Sequence, residues 1–238
     1  PVLKEALRPL LRSGKYARNI EVTKFDPERE FAKVLRDAGN ASDNSLTSLY
    51  NYQRMESSRS NLMRFAALYN YGGMWIDTDV LMLRNAAPVM DVDWAYLGQV
   101  GWVNNAVMGT SKPRSPFMQA YLAAILAKDA TATWTAYGPR MLSNLVRQIQ
   151  DSGVEGSFHV LPTCFFDGSW SVSPGATRWD DFFSKGPEEE NLAYILPNNG
   201  TNGAIAYHWH GRWEMPIRAN SLAAWAENYY AKRLQIVL

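Results

Sequence analysis

Apolar and polar positions along this chain follow two different repeats. From Ser57 to Asn70, Leu62, Phe65, Ala66 and Tyr69 recur at i, i+3, i+4 and i+7, which puts them on one face of a helix. Leu142, Leu145, Val146 and Ile149 do the same between Pro139 and Gln150, and Leu222, Trp225, Ala226 and Tyr229 do so beyond Ser221. Phe117 to Lys128 is also read as helical, and so is Leu3 to Leu11. Short apolar runs lie between these stretches. Asn19–Phe25, Met74–Ile76, Val80–Leu83, Trp94–Leu97, Ala106–Gly109, Phe158–Leu161 and Ala204–His208 each predict a strand.

Punctuation residues set the boundaries. Asp26 followed by Pro27 predicts an N-cap and a first-turn proline for a helix running to about Ala38, closed by Gly39-Asn40. The polar stretch Ala41 to Leu49 reads as a loop, and Asn104-Asn105 as a turn. Gly72 and Gly73 end the helix that starts near Ser57. Strands alternating with helices predict an α/β fold. With no repeat, low-complexity tract or clear linker, residues 1–238 read as a single domain.

Composition narrows this picture. At 47% hydrophobic and 13% aromatic residues, 238 residues suffice for a sizeable core and exclude disorder. A net charge of +1 gives no electrostatic footprint for nucleic acid. No apolar run approaches the roughly 20 residues of a membrane helix. No signal peptide opens the chain, and its abrupt start at Pro1 leaves room for an upstream segment. A single cysteine, Cys164, excludes an internal disulfide framework. Asn40-Ala41-Ser42 and Asn199-Gly200-Thr201 fit the glycosylation triplet, as chance triplets also do.

The chemistry concentrates in Tyr71-Gly72-Gly73-Met74-Trp75-Ile76-Asp77-Thr78-Asp79. On an extended segment the spacing of Asp77 and Asp79 sends both carboxylates to one side. Such a pair suits a hard divalent cation, Mg²⁺ or Mn²⁺, that keeps positions open for phosphate oxygens. Arg64 precedes Asp77 by 13 residues across helix, turn and strand, so an antiparallel return brings it toward the carboxylates. There it either forms a structural ion pair or orients the carboxylates and holds donor hydroxyls or phosphate.

Ser60-Asn61-Leu62-Met63-Arg64 with Leu68 to Asp79 resembles the sugar-binding DxD region of the family 32 glycosyltransferases. Val103-Asn104-Asn105-Ala106-Val107-Met108, Pro116-Phe117-Met118, Tyr137-Gly138-Pro139 and Ala206 to Trp213 resemble later blocks of that family in the same order. The order and spacing are most similar to the α-1,4-galactosyl- and α-1,4-N-acetylglucosaminyltransferase branch, over about residues 19 to 215. The resemblance implies a GT-A type, nucleotide-sugar-binding, Rossmann-like fold with a mixed, mainly parallel sheet. The family's first strand has no equivalent in Pro1 to Arg18, so the domain lacks it or an upstream segment supplies it.

The resemblance also implies site residues. Asp77 faces the donor's ribose and sugar, Asp79 coordinates the metal, and Arg64 binds the sugar or steadies the pair. Asn61 stands where the family usually has a sugar-binding Asp; Asn keeps an acceptor oxygen, adds two donors and loses the charge. His208 and His210 occupy alternate strand positions and share a face; His208 is matched to the metal or the diphosphate, and His210 more weakly to the donor. Asn104 and Asn105 either bond donor or acceptor hydroxyls or simply form a turn. Gly138-Pro139 opens a helix whose N–H groups suit an oxyanion. Trp209 and Trp213 either stack on base or sugar or belong to the core. Phe165 to Phe183, with Asp167, Trp170, Trp179, Asp180 and Asp181, is either an acceptor site or a loop with its own small core.

The expected function is a metal-dependent, retaining glycosyltransferase that uses Mn²⁺ or Mg²⁺ and a nucleotide sugar, most simply a UDP-sugar. Its acceptor is a glycan or glycolipid hydroxyl. The alternatives are a non-catalytic nucleotide-sugar or glycan-binding module and a toxin-like protein glucosyltransferase. Eukaryotic relatives work in the Golgi lumen behind an N-terminal anchor, which here would lie upstream of Pro1.

Overall fold

The computed structural model describes residues 17–39, 44–98, 101–128, 135–152, 158–167, 182–183, 204–211 and 214–234. The chain divides into two compact units, one of Pro1–Phe25, Trp179–Glu189 and Glu214–Leu238, the other of Asp26–Arg178 and Glu190–Trp213. The Leu3–Leu11 helix and both glycosylation triplets lie outside the described residues.

The second unit opens with helix α1, Pro27–Asp37, where the Asp26 side chain accepts from the Arg29 N–H as an N-cap. Helix α2, Ser45–Tyr52, occupies part of the stretch expected to be a loop. It forms because Leu46 is fully buried and Tyr50 packs on Phe31 of α1 with ring centroids 5.6 Å apart. Helix α3, Glu56–Tyr71, buries the expected face of Leu62, Phe65, Ala66 and Tyr69. Gly72 ends it at φ 65°, and a Cβ there would lie 2.8 Å from the Pro113 nitrogen.

Strand β1, Gly73–Ile76, and strand β2, Val80–Met82, follow. Then come β3, Trp94–Leu97; β4, Val103–Thr110; helix α4, Pro116–Leu126; helix α5, Pro139–Asp151; β5, His159–Leu161; and β6, Ala206–His208. Among the described residues one sheet has the order β1-β4-β3-β5, and β2 pairs separately with β6. The fold is mixed α/β, but the expected mainly parallel sheet is not what these strands form. Only β3 and β5 pair in parallel, across the α4–α5 connection, while β1/β4, β3/β4 and β2/β6 are antiparallel.

Two local expectations change. Asn104 and Asn105 lie inside β4 rather than in a turn, next to a register shift opposite Ala95 and Tyr96. The turn lies earlier, where the Gly98 N–H donates to the Trp102 carbonyl at 2.7 Å. Residues 20–25 take no strand conformation, since no described strand pairs with them. Part of the core sits between the sheets, where Phe166 stacks on Trp94 and Tyr96 at 5.0 and 5.1 Å, beside Val107 and Ala206. In the other unit, helix α6, Leu222–Leu234, buries Leu222 and Ala226, and the Ala223 N–H donates to the Phe182 carbonyl at 2.9 Å. No helix among the described residues is long and apolar enough to cross a membrane.

A buried carboxylate clamps α3 against α1. Glu30 accepts from Tyr71 Oη at 2.9 Å, Asn70 Nδ2 at 3.0 Å and Arg29 Nε at 3.0 Å. Burial pushes its carboxyl up, but the bonds from Tyr71, Arg29 and Asn70 outweigh it and hold the group below its ordinary range. Glu30→Gln therefore loses about 1–2 kcal/mol of stability at neutral pH in urea denaturation. A lowered folded pKa gives stabilisation that is present above the unfolded pKa and lost as pH falls through the folded one. The difference between wild type and Glu30→Gln thus shrinks toward about pH 3; an equal difference at both pH values would refute the ionised clamp.

Candidate active site

The β2/β6 ladder assembles the site. Val80 is opposite His208, and the Trp209 N–H donates to the Asp79 carbonyl at 3.0 Å. This register brings Asp79 beside a histidine 129 residues away: His208 Nε2 is 3.3 Å from Asp79 Oδ2. The Gly211 N–H also donates to Asp79 Oδ2, at 2.8 Å. Burial pushes the Asp79 carboxyl up, but His208 and the Gly211 N–H more than offset this, so it lies below its usual range. Asp79 is therefore a carboxylate at neutral pH.

Asp77 and Asp79 do not continue a strand as expected. β1 stops at Ile76, and the Val80 N–H closes a turn onto the Asp77 carbonyl at 3.2 Å. Both carboxylates line one cavity of about 620 Å³, but with different partners. Arg64 Nη2 lies 2.6 Å from both oxygens of Asp77, and Trp75 Nε1 donates to Asp77 Oδ1. The antiparallel return of α3 and β1 thus brings Arg64 to Asp77, one of the two carboxylates its spacing aims it toward, and not to Asp79.

Arg64 is only 4% exposed and also binds Asn61, with Nη1 2.6 Å from Asn61 Oδ1. Asn105 Nδ2 donates to the same oxygen at 3.1 Å, so Asn61, Arg64, Asp77 and Asn105 form one network. Asn104 turns its side chain back to accept from the Ala106 N–H at 2.8 Å. Gly138 contributes by its lack of a side chain: a Cβ there would lie 2.5 Å from the Asn61 amide atoms. Its N–H donates to the Thr135 carbonyl at 3.3 Å rather than facing the cavity as an oxyanion donor.

His208 and His210 come together by a different route from the expected strand. β6 ends at His208, and His210 lies in a turn at φ 53°, left-handed for a non-glycine residue. Their rings are nevertheless 3.8 Å apart. Asp167, fully buried, holds the turn through an Oδ2–Nε2 contact of 2.7 Å with His210. Burial and neighbouring His208 push the His210 imidazole down in spite of Asp167. Tyr96, also buried, lies with its Oη 2.8 Å from His208 Nδ1. Asp167, His208 and His210 bring their ligand atoms within 4.8 Å of one another.

Three residues here carried little or no role in the sequence reading. Tyr96 gave no signal, because its partner lies 112 positions away. Asp167 was grouped with the aromatic segment; backbone bonds from Ile205 to Phe165 and from His208 to Phe166 bring it to the histidines. Trp102 lines the cavity from the β3–β4 connection. Trp213, Trp170, Trp179, Asp180 and Asp181 lie outside the described residues, while Trp209 is half-buried.

Residues 11–95 match the family model of the glycosyltransferase sugar-binding region containing a DXD motif. The chain is also similar to human alpha-1,4-N-acetylglucosaminyltransferase, 25% identical over 111 residues. That match covers 44% of this chain and 32% of the relative, so the chain spans under a third of the curated relative it matches. No solved structure matches it significantly.

Proposed function

We propose, from the premise that this chain is a family 32-like DXD glycosyltransferase, that it moves a sugar from a UDP-sugar to a glycan or glycolipid hydroxyl with retention of configuration. The observation that carries this reading is the division of labour on one cavity wall. An ionised carboxylate and an imidazole, Asp79 and His208, adjoin a network of hydroxyl-binding groups, Asn61, Arg64, Asp77 and Asn105. The first set suits a divalent cation and a diphosphate, the second a sugar.

The donor set fits a transition metal better than Mg²⁺, because one ligand is a ring nitrogen. Asp79 and His208 would hold it, with Asp77 and His210 lining the same cavity and Asp167 against the two histidines. Tyr96 Oη at His208 Nδ1 orients the ring so that Nε2 lies toward Asp79. When bound, Mn²⁺ or Mg²⁺ neutralises charge on the departing diphosphate.

The chain's own residues do the rest. Arg64 fixes Asp77 through both of its oxygens, so Asp77 binds donor hydroxyls or ribose as an oriented acceptor rather than serving as a mobile nucleophile. This favours a front-side displacement in which a leaving phosphate oxygen takes the acceptor's proton. The mixed α/β arrangement with the DXD turn at the end of β1 supports a GT-A reading of the fold.

A non-catalytic binding module is the second reading, and Asn61 favours it, since the charge of the usual Asp is missing. Calorimetry with UDP-galactose, UDP-glucose, UDP-N-acetylglucosamine and GDP-mannose, each with and without Mn²⁺, separates the readings. The expected result is Mn²⁺-dependent binding of one UDP-sugar with slow donor hydrolysis. Binding without hydrolysis or transfer selects the module, and no metal-dependent binding to any donor ends the transferase reading. Asn61→Asp changes donor choice or rate; an unchanged donor profile would remove Asn61 from the sugar site.

A further inference from the structure

Trp102 is out of place as a core residue. The comparable Trp94 is fully buried, whereas Trp102 is 38% exposed and faces the same cavity as Asp77 and Asp79. Among the described lining residues it is the one indole or phenyl side chain. Its backbone is fixed on both sides. The Trp102 carbonyl accepts from Gly98, and the next N–H, of Val103, donates to Ser143 Oγ at 2.8 Å. Ser143 Oγ in turn donates to the Pro139 carbonyl at 2.6 Å, which ties this backbone to the start of α5. The Arg140 guanidinium lies over the indole, 5.9 Å from a ring centroid. A large apolar ring on a hydrogen-bonded backbone at the wall of an open cavity costs less entropy to order on a ligand than one on a free loop.

The position of Trp102 decides which ligand. From Trp102, contacts lead through Arg140 and Pro139 to Gly138, which fits directly against Asn61, and then to Arg64 and Asp77. His208 and Gly211 gather instead about Asp79. A group resting on Trp102 therefore lies on the side of the cavity that leads, through the start of α5, to Asn61 and Arg64. We propose that Trp102 is the stacking platform for the acceptor sugar, taking the C–H face of a pyranose next to the donor sugar. This rests on the glycosyltransferase reading for its geometry. Burying that face against the indole removes apolar surface of both from water, while the sugar's hydroxyls stay at the rim.

The test compares wild type, W102A and W102F. Donor binding is measured by calorimetry with the four nucleotide sugars and Mn²⁺. Glycan binding is measured by saturation-transfer NMR with lactose, N-acetyllactosamine, chitobiose and α-1,6-mannobiose. In W102A, glycan affinity falls at least about tenfold while donor affinity stays within about twofold, and W102F recovers to within about threefold of wild type. Loss of donor affinity with glycan binding intact would instead put the nucleobase on the indole and overturn the proposal. So would glycan binding unchanged in W102A, or no binding of any of the four glycans to wild type. If wild type binds a glycan through Trp102 but binds no donor, the transferase reading fails and the platform stands.

Discussion

If Asp79 holds the cation as proposed, Asp79→Asn is expected to eliminate metal-dependent donor binding. The substitution keeps the shape and leaves an oxygen able to accept from Gly211, so the turn at His210 and Gly211 survives. What disappears is the negative charge that His208 and the Gly211 N–H hold ionised. A neutral amide is a poor ligand for a hard dication, so donor affinity measured with saturating Mn²⁺ falls about a hundredfold or more. Affinity measured without metal changes little. Electron paramagnetic resonance of Mn²⁺ gives the same answer without any donor. An Asp79→Asn protein that still binds the donor in a Mn²⁺-dependent way would show that the cation sits elsewhere.

The second large effect is at Arg64. Arg64→Ala leaves Asp77, whose side chain is 23% exposed, without its cation, and leaves Asn61 Oδ1 without its closest donor. Breaking a largely buried pair from one side costs about 3 kcal/mol here, at the low end because Asp77 is part-exposed. If Asp77 and Asn61 contact the donor as proposed, its affinity is expected to fall about a hundredfold, since both lose their shared anchor. Arg64→Lys restores charge but not the planar fork that reaches both residues, so donor affinity stays at least about tenfold below wild type. Asp77→Asn added to Arg64→Ala recovers most of the lost stability, because the unpaired charge goes with it. Urea denaturation and calorimetry measure both quantities. Full recovery of donor binding by Arg64→Lys would mean that only charge matters at this position.

Much of this was legible along the chain, for identifiable reasons. The face of α3 follows from the helical repeat, and the cap of α1 from Asp26 and Pro27. Arg64 meets Asp77 because a helix, a two-glycine turn and a strand leave an antiparallel return as the compact option. The elements misread were those whose state depends on distant partners. Residues 45–49 have no strong local signal and become helix by packing on α1. Asn104 and Asn105 resemble turn residues, yet pairing with β3 carries β4 across them.

From the sequence alone came the DXD motif, the family resemblance it carries and the arginine that braces Asp77, all within a span of helix, turn and strand. Only the tertiary structure decided that Asp77 and Asp79 answer to different partners, and that Asp167 and Tyr96 set the two histidines. It also brought Trp102 to the cavity wall. The physical reason is range. Side chains within one hairpin-sized segment are placed by backbone periodicity, whereas Asp79 and His208 meet through the register of β2 on β6, across 129 residues.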